Sequence, residues 1–520
     1  MPLGAEYIMR VQPLGESADE NIDCAHQEWK KEADSRSREN LSKPKNYESF
    51  LALIFLLTLP LSNPWVRGDG VGYYGFARSL LIEHRLDFTK DWLAANTSFR
   101  MGRIDAEGHI APEQYTATGH LDNHFSVGPA ILWSPFLIMA HLGVLVYDRL
   151  GGHVPADGYS TPYVLTMALA TALYGFLALV ISFRLARKCV LERWAFLATL
   201  GIWFGSSLPV YMYFNPSWPH AHSAFTVALF LWYWTATRNV RTWTQWAILG
   251  AVGGLMMDVY YVNAVLLLLP LLESLAGYWK AQKSAGTEMI SRLFFGNVLF
   301  VAVLLAAFLP TIITKKIIYG SYLKLGYEHV WVWNSPAIFK VCFSADHGLF
   351  SWTPTLILAV VGLFFLAKYD WTLGLYSIVA FAATLFTIGC YQSWDGLSSF
   401  GNRYFISLTP LFILGLAAFF DWLARIWRER RVPIVASVAT AIFISWNLGL
   451  IFQWGTHLIP ARGPISWRKA AYNQVAVVPV QATQILKNYL ARRKVLMDHI
   501  EEEDVKQLKS TPSGGKDGTR

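Results

Sequence analysis

Apolar runs long enough to cross a bilayer recur along this chain, and they decide its fold class before any motif is read. They fall at about 50–64, 161–183, 194–213, 219–236, 293–312, 349–367, 372–390, 404–424 and 434–454, and a bilayer core takes about 20 apolar residues per helix. Of the 520 residues only 15% are charged, against about 25% in soluble domains. The expectation is an all-α polytopic membrane protein of about ten spans. The net charge of +8 does not argue for nucleic acid, because the basic residues sit in short loops beside apolar runs instead of forming one face.

Loop charges set the topology. Residues 1–49 read as a charged cytoplasmic tail, partly disordered. The first run starts too late for a cleavable signal and stops at Asn63-Pro64-Trp65. The run Val127–Tyr147 is the pivot. If it spans, the loop with Arg184, Arg187, Lys188 and Arg193 falls outside; if it lies in the interface, that loop and those with Arg238/Arg241, Lys280/Lys283/Arg292 and Arg425/Arg428/Arg430/Arg431 all fall inside. The positive-inside rule favours the interfacial reading, and Gly128-Pro129 and Trp133-Ser134-Pro135 suit a broken, surface-lying helix. The block Trp243–Gly277 reads as a short hairpin entering and leaving from the cytoplasm, turning at Met257-Asp258-Val259-Tyr260. A membrane domain 50–455 results, with a large extracytoplasmic loop 65–160 bearing interfacial helices and further outer loops at 214–218, 313–348 and 391–403. The tail 456–520 falls on the same outer side, with Ala470–Lys494 as a surface-riding helix and a disordered end.

Several outer residues have chemistry to offer. Asp69 stands between two glycines just past the first span, in Arg67-Gly68-Asp69-Gly70; it suits either a general base or the N-cap of a juxtamembrane helix. His220, at the mouth of a span after Asn215-Pro216-Ser217-Trp218-Pro219, suits a hydrogen bond to phosphate or sugar, or an interfacial histidine satisfied locally. Lys324 and its loop of cations and aromatics, ending at Asp346-His347-Gly348, suit an anionic sugar-bearing substrate or anchoring at headgroups. Arg403, in Ser399-Phe400-Gly401-Asn402-Arg403-Tyr404, enters a span from the side that the positive-inside rule disfavours, so a phosphate or a structural pair with Asp395 or Asp69 should hold it. Asp258 reads as a turn cap near the cytoplasmic half. Cys342 and Cys390 can pair only if adjacent, and the four cysteines show no metal-ligand spacing.

These features, in their order and sidedness, resemble the GT-C membrane glycosyltransferases, the superfamily of protein O-mannosyltransferases and lipid A aminoarabinose transferases. The likeness covers about 50–455 and rests on Asp69, the outer loop with Pro129–Tyr147, the inner hairpin, His347-Gly348-Leu349-Phe350 and Ser399–Arg403. It implies a GT-C-like helical bundle acting as an inverting glycosyltransferase outside the cytoplasm. A hexosyl or pentosyl group moves from a polyprenyl-phosphate donor to an acceptor hydroxyl of a lipid, glycan or protein. Asp69 takes the place of the family's general base; Arg403, His220, His347, Lys324, Tyr73 and Asn402 become candidates for holding donor and phosphate. No metal or cofactor is expected. Two departures stand out: Met256-Met257-Asp258 replaces a hairpin lysine common in relatives, and the His220 segment replaces an acid after the third span. The competing readings are a transporter or flippase of lipid-linked sugar, and a non-catalytic scaffold.

Overall fold

The computed structural model describes residues 46–238, 240–284, 286–427 and 431–510. Most of the expected N-terminal tail, Arg428 and Arg430, and the chain end from 511 onward lie outside the described residues. Among the described residues the secondary structure is helical, with isolated β-bridges only at Ile104/Ile110, Tyr115/Leu121 and Trp331/Tyr391. Seven helices among the described residues are long and apolar enough to cross a membrane.

In chain order, α1 (Tyr47–Thr58) leads to α2 (Gly70–Arg78), and an irregular loop leads to α3 (Gly128–Arg149). Then come α4 (Thr161–Ala186), α5 (Glu192–Gly205), α6 (His220–Thr237), α7 (Trp243–Val259), α8 (Leu268–Ser284), α9 (Gly286–Ala307) and α10 (Leu309–Tyr319). The bundle closes with α11 (Thr355–Tyr369), α12 (Trp371–Gly389), α13 (Thr409–Trp427) and α14 (Val432–Gly455), and α15 (Trp467–Ala476), α16 (Val478–Ala491) and α17 (Arg493–Ser510) follow. Local chemistry sets many of these boundaries. Proline occupies the first turn of α3, α4, α10, α14 and α16, where its missing N–H costs nothing. A Thr242/Gln245 capping box starts α7, and the Asp370 carboxylate accepts from Leu373 N–H at 3.0 Å to start α12.

Ion pairs mark one end of the bundle. Glu48 in the first turn of α1 pairs with Arg184 in the last turn of α4 at 2.6 Å and with Arg187 just after it at 3.2 Å; Arg238 after α6 pairs with Asp370 before α12. Asp69 lies at the other end. Small residues let helices between these ends touch backbone to backbone: a Cβ on Gly362 of α11 would stand 1.8 Å from the Gly415 carbonyl of α13.

α3 is long and apolar enough to span, yet its contacts keep it at the Asp69 end, as loop charge predicts. Trp133 Nε1 donates to Thr171 Oγ1 at 2.9 Å, midway along α4, whereas His141 meets the Tyr163 hydroxyl at 2.6 Å in the first turn of α4. The helix therefore runs away from the Glu48 end, exposing Ile138, Met139 and Leu142. It is unbroken, contrary to expectation. Pro135 forfeits one hydrogen bond, and Ser134 Oγ donates to the Ala130 carbonyl at 2.6 Å within the same turn.

The expected short inner hairpin is corrected more deeply. α7 has 17 residues, about 25 Å at 1.5 Å per residue, and it carries the turn at Asp258–Tyr260 up to the Asp69 end. There Ser126 Oγ donates to the Val259 carbonyl at 2.7 Å, and Gly128 lies so close that a Cβ would meet the Asp258 carbonyl carbon at 2.3 Å. The chain returns through Asn263, whose amide donates to Ser223 Oγ at 2.9 Å near the start of α6, to Glu273, which pairs with Arg241 at 2.9 Å near its end. Both flanks of the block do lie at the Glu48 end. Asp258 is consequently far from that end, buried, and accepts from Thr311 Oγ1 at 2.5 Å at the head of α10. The run at 349–367 is also interrupted, by Thr353-Pro354 between a short helix Leu349–Trp352 and α11.

A buried salt bridge organises the first loop. The Arg78 guanidinium donates to both Asp91 oxygens at 2.7 and 3.0 Å, and Tyr159 OH donates to Asp91 at 2.8 Å, joining α2 to the segment before α4. Asp91→Ala, which leaves the buried guanidinium with Glu83 at 3.1 Å as its remaining ion-pair partner, is expected to cost about 3 kcal/mol, read as a lowered thermal midpoint of the detergent-purified protein.

The C-terminal helices do more than ride on a surface. Tyr489 OH donates to the Leu61 carbonyl at 2.7 Å, and Arg493 donates to the carbonyls of Ser62 and Pro60 at 2.6 Å each, satisfying the chain end of the first span. Glu501 accepts from Ser98 N–H at 2.6 Å, and Asp504 pairs with Arg67 and with His457 at 2.9 Å. The tail is thereby fastened across the Asp69 end.

Candidate active site at the Asp69 end

A cavity of about 2060 Å³ opens at this end, with Asp69, Tyr73, Trp218, His220 and Arg403 on its wall. Two glycines place the acid. Gly68 has φ +52°, and its missing Cβ would lie 3.1 Å from the Trp218 ring; a Cβ on Gly70 would stand 1.9 Å from Ser217 Oγ. The turn at Gly68–Gly70 thus packs against Trp218, whose Nε1 donates to the Arg67 carbonyl at 3.0 Å. Asp69 holds the N-cap position of α2, yet its side chain makes no capping bond. It turns instead into the cavity, 36% exposed, with Oδ2 at 2.8 Å from Arg403 Nη1.

Arg403 reaches that point from the opposite side of the sequence. Gly396 and Gly401 carry φ of +72° and +54°, bending the preceding loop; Asn402 Nδ2 clamps it by donating to the Trp394 carbonyl at 3.0 Å, and Phe400 N–H donates to Tyr211 OH at 3.1 Å. The guanidinium lies over the Trp218 ring, 4.3 Å from its centre. Trp218 therefore supports both the backbone leading into Asp69 and the guanidinium of Arg403. The contact with Asp69 is an ion pair without directed hydrogen bonding: Arg403 Nε and Nη1 are buried with no hydrogen-bond partner. Arg403 is among the residues lining the cavity, and a guanidinium with unused donors can bind an oxyanion once its pair with Asp69 opens.

The other sequence candidates separate. His220 is on the wall, edge-on to Tyr211 at 4.7 Å and to Tyr260 at 5.6 Å. Tyr73 lines it one turn beyond Asp69, packed on Phe125 at 4.8 Å. Asn402 is buried behind the wall as a loop clamp. His347 is also behind it, against Trp352 at 4.8 Å; burial, with Arg403 nearby, pushes its imidazole down to about 4, so it is neutral at pH 7. Lys324 is exposed, its ammonium 5.3 Å from the Tyr319 ring centre, while its neighbours Leu323 and Leu325 reach the cavity. Cys342 and Cys390 are free.

Sequence reasoning missed Trp218 as the shared platform and Tyr260, Tyr327 and Tyr391 as wall residues. The Asn-Pro-Ser-Trp-Pro segment was a usable signal for the first; the tyrosines carried none beyond their abundance. It also missed the apolar side of the cavity, where Leu448, Ile451 and Phe452 of α14 face Ala482, Ile485 and Leu486 of α16. Lys315, an unmarked member of its loop, is a brace: its buried Nζ donates to the carbonyls of Asn123 and Phe125 at 2.9 Å each, and burial pushes it down to about 7.

No protein-family model matches the chain, and neither does any curated protein sequence. Among solved structures, it is similar to ArnT from Cupriavidus metallidurans in the apo state, at 13% identity and a TM-score of 0.43 over 78% of this chain and 70% of that one. The same protein bound to undecaprenyl phosphate gives 13% identity and a TM-score of 0.42 over the same shares.

Proposed function

We propose that the protein is an inverting glycosyltransferase that moves a sugar from a polyprenyl-phosphate donor to an acceptor hydroxyl at the extracytoplasmic membrane face. The observation that carries this reading is the meeting of Asp69 and Arg403 at 2.8 Å in a cavity with one apolar side between α14 and α16. A carboxylate, a phosphate-binding fork and a lipid-compatible groove are the three parts such a transfer needs. The donor phosphate takes the unpartnered guanidinium donors of Arg403 as the ion pair opens, which releases Asp69. Asp69 then accepts the proton of the acceptor hydroxyl as that oxygen bonds to the anomeric carbon. The bond from that carbon to the phosphate oxygen breaks, and its electrons leave with polyprenyl phosphate. A single displacement inverts the anomeric centre. The leaving group is already a stable anion, so alignment and charge stabilisation matter more than a strong acid.

The chemistry calls on no metal or cofactor; transfer is expected to persist within twofold in excess EDTA, measured with radiolabelled donor. The direct test is purified protein in nanodiscs with a panel of polyprenyl-phosphate sugars. Release of polyprenyl phosphate coupled to sugar transfer supports the proposal. Movement of intact donor across a liposome bilayer with no cleavage would establish the flippase alternative, which the cavity disfavours because its named walls all belong to the Asp69 end.

A further inference from the structure

The cavity has two unlike arms that meet at Asp69. The apolar arm between α14 and α16 is described above. The second runs beneath the loops 98–124 and 323–331. On one side Tyr327 meets His124 at 5.0 Å and Tyr261 at 6.3 Å, and the adjoining Phe125 packs on Tyr73 beside Asp69. On the other side Trp331, stacked by one face on Trp333 at 5.3 Å, meets Tyr391 at a tilt at 5.3 Å, and Tyr391 meets Tyr404 at 5.7 Å, next to Arg403. A backbone bridge holds this side in place: Val332 N–H donates to the Cys390 carbonyl at 2.7 Å and Gln392 N–H to the Val330 carbonyl at 2.9 Å. The same loops bring Glu113, Gln114, Asp122, Glu328 and Arg103 to the cavity lining; Asp122 accepts from Tyr319 OH, and Glu328 Oε1 from the N–H groups of Leu325 and Gly326, which leaves each a second carboxylate oxygen.

Given the transfer reaction above, on which this rests, we propose that the acceptor is the neutral, hydroxyl-rich end of a glycan, seated in this second arm with sugar rings against Trp331 and Tyr327. Aromatic faces suit the C–H faces of pyranose rings, and carboxylate and amide oxygens accept from ring hydroxyls. The three carboxylates are matched by Arg103 and by Lys315 and Lys324, which lie beside Asp122 and Glu328, so the arm has no cationic excess to draw in a phosphorylated or carboxylated acceptor. A lipid acceptor needs a second apolar groove beside the one given to the donor, and this arm is polar and aromatic. The terminal hydroxyl reaches Asp69, to which it yields its proton as its oxygen takes the sugar from the donor phosphate.

The test uses the full chain in nanodiscs. Binding is measured by calorimetry for hexamers of mannose, glucose and N-acetylglucosamine, for a serine/threonine-rich peptide, for lipid A and for undecaprenyl phosphate. At least one neutral hexamer is expected to bind. Trp331→Ala should weaken it about tenfold, Trp331→Phe should restore most of the loss, and undecaprenyl phosphate affinity should be unchanged in both variants. Absence of binding by every hexamer overturns the proposal, as does binding of the peptide or lipid A that falls with Trp331→Ala and recovers with Trp331→Phe. Hexamer binding without undecaprenyl phosphate binding would leave the acceptor arm standing and sink the donor assignment instead.

Discussion

Replacing Asp69 by Asn is expected to lower kcat by about 10²- to 10⁴-fold, the range for removing a positioned general base. The amide is nearly isosteric and the side chain makes no capping bond, so folding and membrane insertion should be preserved. Because Asp69 also neutralises Arg403, the variant should bind undecaprenyl phosphate at least as tightly as the parent. Loss of turnover with donor affinity kept or improved is a signature that a merely structural carboxylate does not produce. Turnover within tenfold of the parent at saturating donor and acceptor would remove Asp69 from the role.

Arg403→Ala is expected to lower kcat/KM by about 10²- to 10³-fold, the loss seen when a charge-stabilising donor is removed from a reacting centre. The loss should appear mainly in the donor titration. Arg403→Lys should recover only part of it, because a point charge cannot offer the fork that meets a phosphate and does not lie flat on Trp218. Separate donor and acceptor titrations check this. A variant whose acceptor KM rises while its donor KM stays fixed would refute the phosphate assignment.

The two predictions are coupled by the unliganded state. Asp69 and Arg403 occupy one another, so neither charge is left bare in a partly desolvated cavity. On the proposed mechanism a donor phosphate competes for the guanidinium and in doing so frees Asp69 to act as the base.

Much of the fold was legible because lipid imposes a simple rule: backbone groups must be satisfied within helices, and loops keep their charge. That rule located most spans, and the basic loops correctly kept α3 at one end although its apolar length alone allowed a crossing. It failed at α7 and α8, where a block with basic flanks at both ends was compressed into a short inner hairpin. Glycines at 250, 253 and 254 were the overlooked clue: they let α7 pack tightly on α9 and pass through the whole bundle.

By itself, the sequence determined that this chain crosses a membrane repeatedly, and it singled out one acid between two glycines and one arginine where arginine is disfavoured. These follow from composition and local backbone freedom. Only the tertiary structure decided that residues 334 positions apart face one another over Trp218, that the tail fastens across the site, and that its cavity has one apolar and one polar arm. Those are long-range packing outcomes, set by which helices touch, and no window along the chain contains them.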